Sequence, residues 1–245
     1  MRLYIEHYKH DGDPAHINYH IAAEGFRHFG FHIIEIQDIA ALPQDDTDCV
    51  AVGSIQFIKA ALQHLGKPFP EGIDYPASLQ TYLGRRTWSS TINEISNNPD
   101  LWQVFVKPKI ATKRFTGRVV RSLADLRATG DQFDNIPVWV SEPVVFKREW
   151  RVFVRYGKIL DVRPYRGDWR CQYDPAVIES ALAAFEDAPA AYAMDWGVTD
   201  DGRTLLVEVN EGYSVGAYGL YFTDYARFLS ARWAQLTGTT DICAF

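Results

Sequence analysis

The stretch AYAMDWGVTDDGRTLLVEVNEG at residues 191–212 decides the fold, because it predicts two strands joined by a tight turn. Asp201 and Gly202 lie between two apolar-rich runs, and both residue types tolerate the positive φ angles that a type I′ turn requires. A two-residue loop of this kind pairs Asp200 with Arg203 and fixes every later cross-strand partner. The stretch therefore predicts a β-hairpin whose register can be followed residue by residue.

The predicted register places acidic side chains on one face of this hairpin. Asp195 falls opposite Glu208, and Asn210 shares their face because side chains alternate along a strand. The opposite face is apolar and carries Tyr192, Met194, Trp196, Val198, Leu205, Val207 and Val209. One face is thus expected to enter the core, and the other is expected to be acidic.

The acidic pair needs a physical explanation, because like charges directly opposite each other destabilise a sheet. A divalent cation would offset the repulsion between Asp195 and Glu208. Carboxylate oxygens, together with an amide oxygen such as that of Asn210, are the ligands that Mg²⁺ prefers, and Mg²⁺ bound in this way usually carries substrate phosphates. The alternative is a half-exposed hairpin whose acidic face is simply solvated.

The composition favours a compact cytoplasmic protein. The 245 residues are 47% hydrophobic and 14% aromatic, which is enough to bury a substantial core. A net charge of −6 does not favour a general nucleic-acid or anionic-membrane surface. Three scattered cysteines, Cys49, Cys171 and Cys243, favour free thiols in a reducing compartment. No apolar run approaches the roughly 20 residues that span a bilayer, so we expect no membrane segment.

Strands and helices alternate in the first hundred residues, as they do in an α/β layer. Strands are predicted in MRLYIEHY, FHIIEI and DCVAVGS, and helices from Asp13-Pro14, in IQFIKAALQHLG and in short pieces up to Asp100. From Leu101 the chain is β-rich, and LWQVFVKP, TGRVV, VWVSEPVV and EWRVFVRYGKILDVRPY predict mainly antiparallel sheet. Further helices are predicted in SLADLRATG, in DPAVIESALAAFEDA and at 220–236, the last with Tyr221, Tyr225, Phe228, Leu229 and Trp233 in the core.

A basic loop follows the strand LWQVFVKP and can place cations over phosphate groups. Its cationic side chains are Lys107, Lys109, Lys113 and Arg114. The loop lacks the GxxxxGK(S/T) spacing of a Walker motif and contains one glycine, Gly117, so its side chains would have to bind phosphate without a glycine-rich cradle. The alternative is a solvated basic turn.

Three signals in this order resemble the ATP-grasp superfamily: the strand with its basic loop, SEPVV before EWRVFV, and the strand pair with Asp followed by Glu-x-Asn. They are most similar to the divergent branch marked by one arginine and two lysines, which includes the eukaryotic cell-division-cycle protein that assists assembly of translation initiation factor 2. The resemblance covers residues 101–217. It implies an α+β ATP-grasp fold whose two lobes, 101–145 and 146–245, follow a small α/β domain at 1–100.

The resemblance also implies roles for residues that match its motifs. Lys107 and Lys113 would contact ATP phosphates, and Glu142 and Val144 would line the adenine site between the lobes. Arg151 would lie near the γ-phosphate.

The resemblance also implies roles for the remaining site residues. Arg163 is a second candidate arginine, which makes Arg151, Lys113 and Arg163 the expected catalytic set. Asp195, Glu208 and Asn210 match the metal ligands of the family, and they are also the three residues on the acidic face of the predicted hairpin.

The function that these motifs imply is ATP- and Mg²⁺-dependent ligation of a carboxylate to an amine through an acyl phosphate. A protein or peptide is one candidate substrate. Two alternatives remain open: an ATP-binding assembly factor or binding module that makes no bond, and a phosphotransferase acting on a hydroxyl group.

Overall fold

The computed structural model describes residues 1–7, 14–109, 115–127, 129 and 134–245. The first elements are β1 (Arg2–Glu6), α1 (Pro14–His28), β2 (His32–Ile36), β3 (Cys49–Val52) and α2 (Ile55–His64). The strands form a parallel sheet in the order β2-β1-β3, which confirms the predicted α/β alternation. Ser54 caps α2 by accepting a hydrogen bond from the Phe57 amide at 3.2 Å. Asp13, the expected cap of α1, lies outside the described residues.

A second sheet is antiparallel and has the order β4-β7-β5-β6. Its elements are β4 (Thr87–Thr91), α3 (Ile92–Asn97), β5 (Val104–Pro108), β6 (Arg118–Val120), α4 (Leu123–Leu126) and β7 (Pro137–Ser141). The expectation of helical pieces up to Asp100 was wrong at β4. Pairing with β7 extends this segment, whose threonines and tryptophan favour strands. The domain division between residues 100 and 101 stays a prediction, although this sheet already begins at Thr87.

A third sheet contains the predicted acidic hairpin. Its elements are β8 (Phe146–Arg155), β9 (Lys158–Gly167), α5 (Pro175–Ala184), β10 (Ala191–Thr199), β11 (Thr204–Glu211) and α6 (Phe222–Thr237). The order is β11-β10-β8-β9, and all neighbours are antiparallel. The predicted hairpin through Tyr156 and Gly157 is confirmed, with φ values of 48° and 70°. These positive values suit a tight two-residue turn.

The turn between β10 and β11 differs from the prediction by one residue. The Gly202 amide donates to the Thr199 carbonyl at 3.0 Å, and the Thr199 amide donates to the Arg203 carbonyl at 3.0 Å. Thr199 is thus paired with Arg203, and the three residues 200–202 connect the strands instead of two. Of these three residues only Gly202 has a positive φ, 82°, whereas a type I′ turn requires two. The expected pairing of Asp200 with Arg203 was therefore wrong.

A β-bulge at Val207 compensates for the longer turn. Trp196 pairs with Leu206, whereas the preceding residue, Asp195, pairs with Glu208, so Val207 is the extra residue on β11. The predicted pairing of Asp195 with Glu208 is thus confirmed. Leu206, rather than the expected Leu205 and Val207, joins Trp196 in the apolar core.

Both faces of β10 are covered, so the solvated-face alternative for the hairpin was wrong. Tyr192, Met194 and Trp196 belong to a core that includes α5, while Ala191 and Ala193 belong to a core that includes α6. On the acidic face, Asp195 is buried with only 3% exposed, and Glu208 and Asn210 are half-buried. Burying these carboxylates would cost free energy of folding unless positive charges or hydrogen-bond donors lie beside them.

The last helix, α6, packs against the first helix, α1, within a core shared with the parallel sheet. Gly25 allows the close approach, because a Cβ atom there would lie 2.8 Å from the Ala226 Cβ. Tyr225, Phe228, Leu229 and Trp233 are buried as predicted. Tyr221 is 60% exposed, contrary to the prediction, because it precedes the first turn of the helix.

No helix in the described ranges combines the length and apolar character that crossing a membrane requires. The cytoplasmic location stays a prediction.

The Asp241 carboxylate holds the end of the chain against β8 through its bond with Arg155. We expect its contribution to the stability of the fold to be lost in acid. Burial alone would raise its pKa, but hydrogen bonds from Ser230, the Cys243 amide, Arg155 and Tyr156 hold the pKa below the usual 3.8. A lowered pKa stabilises the fold above that pH, and the contribution is lost as pH falls below it. We expect Asp241→Asn to lower the free energy of unfolding at pH 7 by about 2 kcal/mol.

Urea unfolding of the wild type and Asp241→Asn at pH 7 and at low pH measures this effect. The difference between the two proteins should shrink at low pH, while Asp45→Asn, at an exposed position, should change little at either pH. A difference that stayed constant with pH would show that the charge of Asp241 is not what stabilises the fold.

Candidate active site

Three neighbouring strands bring the predicted charged residues together. Asp195 in the central strand β10 pairs with Arg151 of β8 on one side and with Glu208 of β11 on the other. Asn210 follows two residues after Glu208 and points to the same side. Lys107 reaches this cluster from β5 in the second sheet. The structure therefore brings together five of the predicted residues from two sheets.

Arg151 and Asp195 form a buried, bidentate ion pair. Arg151 Nε donates to Asp195 Oδ1 at 2.7 Å, and Nη2 donates to Oδ2 at 2.6 Å. The residues are only 6% and 3% exposed. Burial raises the pKa of the Asp195 carboxyl, and the guanidinium opposes that rise. The fork geometry matches a carboxylate and would match a phosphate equally well.

Lys107 bonds two carboxylates at once. Its Nζ donates to Glu208 Oε2 at 2.6 Å and also bonds Asp74, and it lies 4.7 Å from the centroid of the Tyr75 ring. Burial alone would lower the pKa of Lys107, but the neighbouring negative charges outweigh it and raise the pKa. Burial would likewise raise the pKa of Glu208, yet the ammonium group of Lys107 holds it below its usual value. Both groups are charged at neutral pH.

The donor atoms around Asn210 fit a cation that prefers oxygen ligands. Its side-chain nitrogen donates to Asp195 Oδ2 at 3.1 Å and to Glu208 Oε1 at 3.3 Å, so the three side chains converge. A half-turn of the amide would present its carbonyl oxygen at the same point. No three acidic, histidine or cysteine side chains of the described residues form a ready metal site. A Mg²⁺ ion would therefore need the amide oxygen as a third protein ligand.

An aromatic pair covers the arginine side of the cluster. The Tyr218 ring centroid lies 4.6 Å from the Arg151 guanidinium carbon and 5.0 Å from the stacked Tyr165 ring. Tyr165 is fixed by its hydroxyl, which donates to Glu149 Oε2 at 2.9 Å. Tyr218 has a φ of 45°, a backbone strain that costs about 1–3 kcal/mol and is typical of functional sites.

The remaining predicted residues lie outside the charge cluster. Arg163 of β9 pairs across the sheet with Arg151 and bonds Asp161 at 3.1 Å. Glu142 lies after β7 and accepts a hydrogen bond from the Arg86 amide at 3.0 Å, and the half-buried Val144 lies in the same connection to β8. Lys113 is outside the described residues, so its place is not assigned.

Sequence reasoning missed several residues of the cluster. Asp74 and Tyr75 come from a loop rich in glycine and proline, and nothing in that segment marks its contact with Lys107. Glu149, two residues before Arg151 on β8, is also buried, and its partner is Arg166 rather than Arg151. Tyr218 lies between Gly216 and Gly219, and this glycine-rich context is a sequence signal that could have drawn attention to it.

Comparisons with known proteins identify the family and the fold. A family model described as "ATP-grasp domain, R2K clade family 2" matches residues 82–228. The chain is similar in fold to the D-cycloserine synthetase DcsG, with 15% identity, a TM-score of 0.63, and 96% of this chain and 100% of that chain covered.

Two further solved structures show the same fold. A RimK domain protein ATP-grasp from Sphaerobacter thermophilus has 15% identity and a TM-score of 0.58, with 94% and 98% of the two chains covered. The D-alanine–D-alanine ligase from Bacillus anthracis, in a complex with ATP, has 15% identity and a TM-score of 0.58, with 97% and 99% covered. No curated protein sequence matches the chain. Because the family model covers more than half of its residues, the protein belongs to family 2 of the R2K clade of ATP-grasp domains.

Proposed function

We propose that the protein is an ATP- and Mg²⁺-dependent ligase that joins a carboxylate to an amine. The observation that carries this proposal is the cluster in which Lys107 and Arg151 meet Asp195, Glu208 and Asn210. Two cations able to bind phosphate lie directly beside oxygen donors able to bind a metal. Membership of the ATP-grasp family and the fold shared with ligases both support this chemistry.

The proposed reaction has two steps. The substrate carboxylate attacks the γ-phosphorus of ATP, and ADP leaves with the electrons of the broken P–O bond. An amine then attacks the acyl phosphate, inorganic phosphate leaves, and the nitrogen loses a proton as the amide forms. No nucleophile from the protein is required, so the side chains act by positioning and by stabilising charge.

The chain's own residues divide this work between them. Arg151 and Lys107 would stabilise the charge on the transferring phosphoryl group, with Lys113 and Arg163 as further cations. Mg²⁺, when bound, supplies neutralisation of the phosphate charge.

Metal and adenine contacts complete the proposed site. Asp195, Glu208 and Asn210 would hold the metal. Glu142 and Val144, in the connection between the second and third sheets, would contact adenine.

Nucleotide binding would exchange partners within the cluster. Without nucleotide, Lys107 pairs with Glu208 and Arg151 pairs with Asp195. In the nucleotide complex, phosphate oxygens would bind these two cations instead. The carboxylates would then have to meet positive charge elsewhere, since a buried unpaired carboxylate is strongly disfavoured. The cluster thus favours joint binding of metal and nucleotide over binding of either one.

The candidate substrates are a carboxylate and an amine, and a protein or peptide could supply either group. The alternatives are an ATP-binding assembly factor or binding module that makes no bond, and a phosphotransferase. ATP turnover distinguishes the ligase from the assembly factor, and the mass of the product distinguishes ligation from phosphorylation.

Calorimetric titration of ATP with and without Mg²⁺ tests the proposal. We expect Mg²⁺-dependent binding to the wild type, and loss of about 100-fold in that affinity for Asn210→Ala because a metal ligand is missing. Asn97→Ala, at an exposed position at the end of α3, serves as the matched control and should bind as the wild type does. A wild-type protein without affinity for ATP would refute the proposal, and equal affinity in both variants would refute the site assignment.

A further inference from the structure

The bulge at Val207 determines which side chains of β11 face the site. If the pairing of Trp196 with Leu206 simply continued, Val207 would fall opposite Asp195 and Glu208 opposite Met194. A slip of one residue reverses the direction of every side chain, so Glu208 would then point into the apolar core. The bulge is therefore what brings Glu208 to the same face as Asp195.

The outer edge of β11 is held by an earlier segment of the chain. β11 ends the sheet order, so its outward backbone groups have no neighbouring strand within the third sheet. Residues 74–85, which we name the strap, lie along this edge. The Val209 amide donates to the Asp74 carbonyl at 2.9 Å. Arg85 donates from Nη1 to the Leu206 carbonyl at 2.8 Å and from Nη2 to the Val207 carbonyl at 2.7 Å.

The two carbonyls that Arg85 binds are those at the bulge itself. A bulge interrupts the ladder and leaves backbone groups that need other partners. The guanidinium group has several donors in a fixed plane, so one side chain can bind the Leu206 and Val207 carbonyls together. An ammonium group is a point charge without this fixed fork and cannot reproduce the arrangement.

Arg85 is itself fixed by its surroundings. Nη1 also donates to the Leu83 carbonyl at 2.9 Å, and the guanidinium carbon lies 5.8 Å from the centroid of the Tyr75 ring. The preceding Gly84 has a φ of 59°, and a Cβ atom there would lie 2.6 Å from a methyl carbon of Leu205. A side chain at residue 84 would be strained by this φ and would displace Leu205, so glycine favours the close approach of the strap to β11.

The other end of the strap reaches the second sheet. The carboxylate of Asp74 bonds Lys107, and Lys107 also bonds Glu208 at 2.6 Å. One residue thus contacts β11 through its backbone and the lysine of β5 through its side chain. The strap links the two sheets at the point where the charge cluster forms.

We propose that the strap positions the metal-binding strand and that Arg85 is a positioning residue, which holds the bulge so that Glu208 and Asn210 face Asp195. Arg85 does not touch the reacting groups and acts through the backbone of β11. The effect of Arg85 on metal and nucleotide binding rests on the proposed function. Its effect on the conformation of β11 does not.

Hydrogen exchange in the absence of nucleotide tests the structural half of the proposal. In Arg85→Met, the amides of 204–211 should exchange at least tenfold faster than in the wild type, and Arg85→Lys should be intermediate. Arg86→Met is the matched control, because Arg86 is exposed and its guanidinium carbon lies 4.8 Å from the Trp88 ring centroid, in the second sheet. Unchanged exchange of 204–211 in Arg85→Met would overturn the proposal, as would equal acceleration throughout the chain.

ATP titration of the same variants tests the functional half. Arg85→Met should lose at least tenfold in the Mg²⁺-dependent affinity for ATP and keep its affinity for ATP without metal, with partial recovery in Arg85→Lys. An equal loss of both affinities would overturn the positioning role. A wild type that binds no ATP would refute the proposed function alone, and hydrogen exchange would then decide whether the strap holds β11.

Discussion

Replacing Arg151 with methionine is expected to lower the free energy of unfolding by about 3–5 kcal/mol, because Asp195 would remain buried without a counter-ion. The two side chains are joined by hydrogen bonds of 2.7 and 2.6 Å in a nearly solvent-free environment. Burial already raises the pKa of Asp195, and removal of the guanidinium would raise it further. Denaturation by urea at pH 7, followed by tryptophan fluorescence, measures the loss.

Two further variants separate the charge effect from a packing effect. The double variant Arg151→Met, Asp195→Leu removes both charges and should recover part of the lost stability. Arg203→Met breaks the exposed ion pair with Asp201 and should change the free energy of unfolding by less than about 1 kcal/mol. If Arg151→Met were as mild as Arg203→Met, the buried pair would not stabilise the protein as we describe.

Replacing Glu208 with glutamine is expected to reduce Mg²⁺-dependent ADP formation by about 10²–10³-fold, with little loss of stability. The amide keeps an acceptor for Lys107 but lacks the negative charge that a metal site requires. ADP release under saturating ATP, with Mg²⁺ varied, measures the effect. The required Mg²⁺ concentration should rise together with the fall in rate.

Glu179→Gln is the matched control for this second experiment, because Glu179 is exposed on α5. It should retain the wild-type rate and Mg²⁺ dependence. Wild-type turnover in Glu208→Gln would mean that Glu208 does not bind the metal and that its ion pair with Lys107 is only structural.

The facing pair of Asp195 and Glu208 was predictable from the sequence, but two deviations had to cancel for the prediction to succeed. The turn contains one residue more than expected, and the bulge at Val207 shifts the pairing by one residue in the opposite direction. The turn chemistry of Asp201-Gly202 permits both loop lengths, so local sequence alone could not distinguish them. The identity of the core residue opposite Trp196 was wrong for the same reason.

Other parts of the site could not be predicted, because they depend on contacts between distant segments. Asp74 meets Lys107 across 33 residues, and Arg85 meets Leu206 across 121. The loop that carries Asp74 has no periodic pattern that would indicate its neighbours. The strand β4 was missed similarly, since its identity comes from pairing with β7 and not from its own pattern.

The packing of α6 on α1 means that the first core cannot be completed until nearly the whole chain has been made. The parallel sheet and its helices end at His64, but the core they share is completed by α6, which ends at Thr237. At about 5–20 residues per second, a ribosome needs roughly 10–35 s to make the intervening chain. Throughout that time the apolar face that residues 1–64 present to α6 would stay exposed to solvent. A nascent chain stalled before α6 should therefore bind chaperones and be cut readily by protease, whereas the completed chain should resist cleavage.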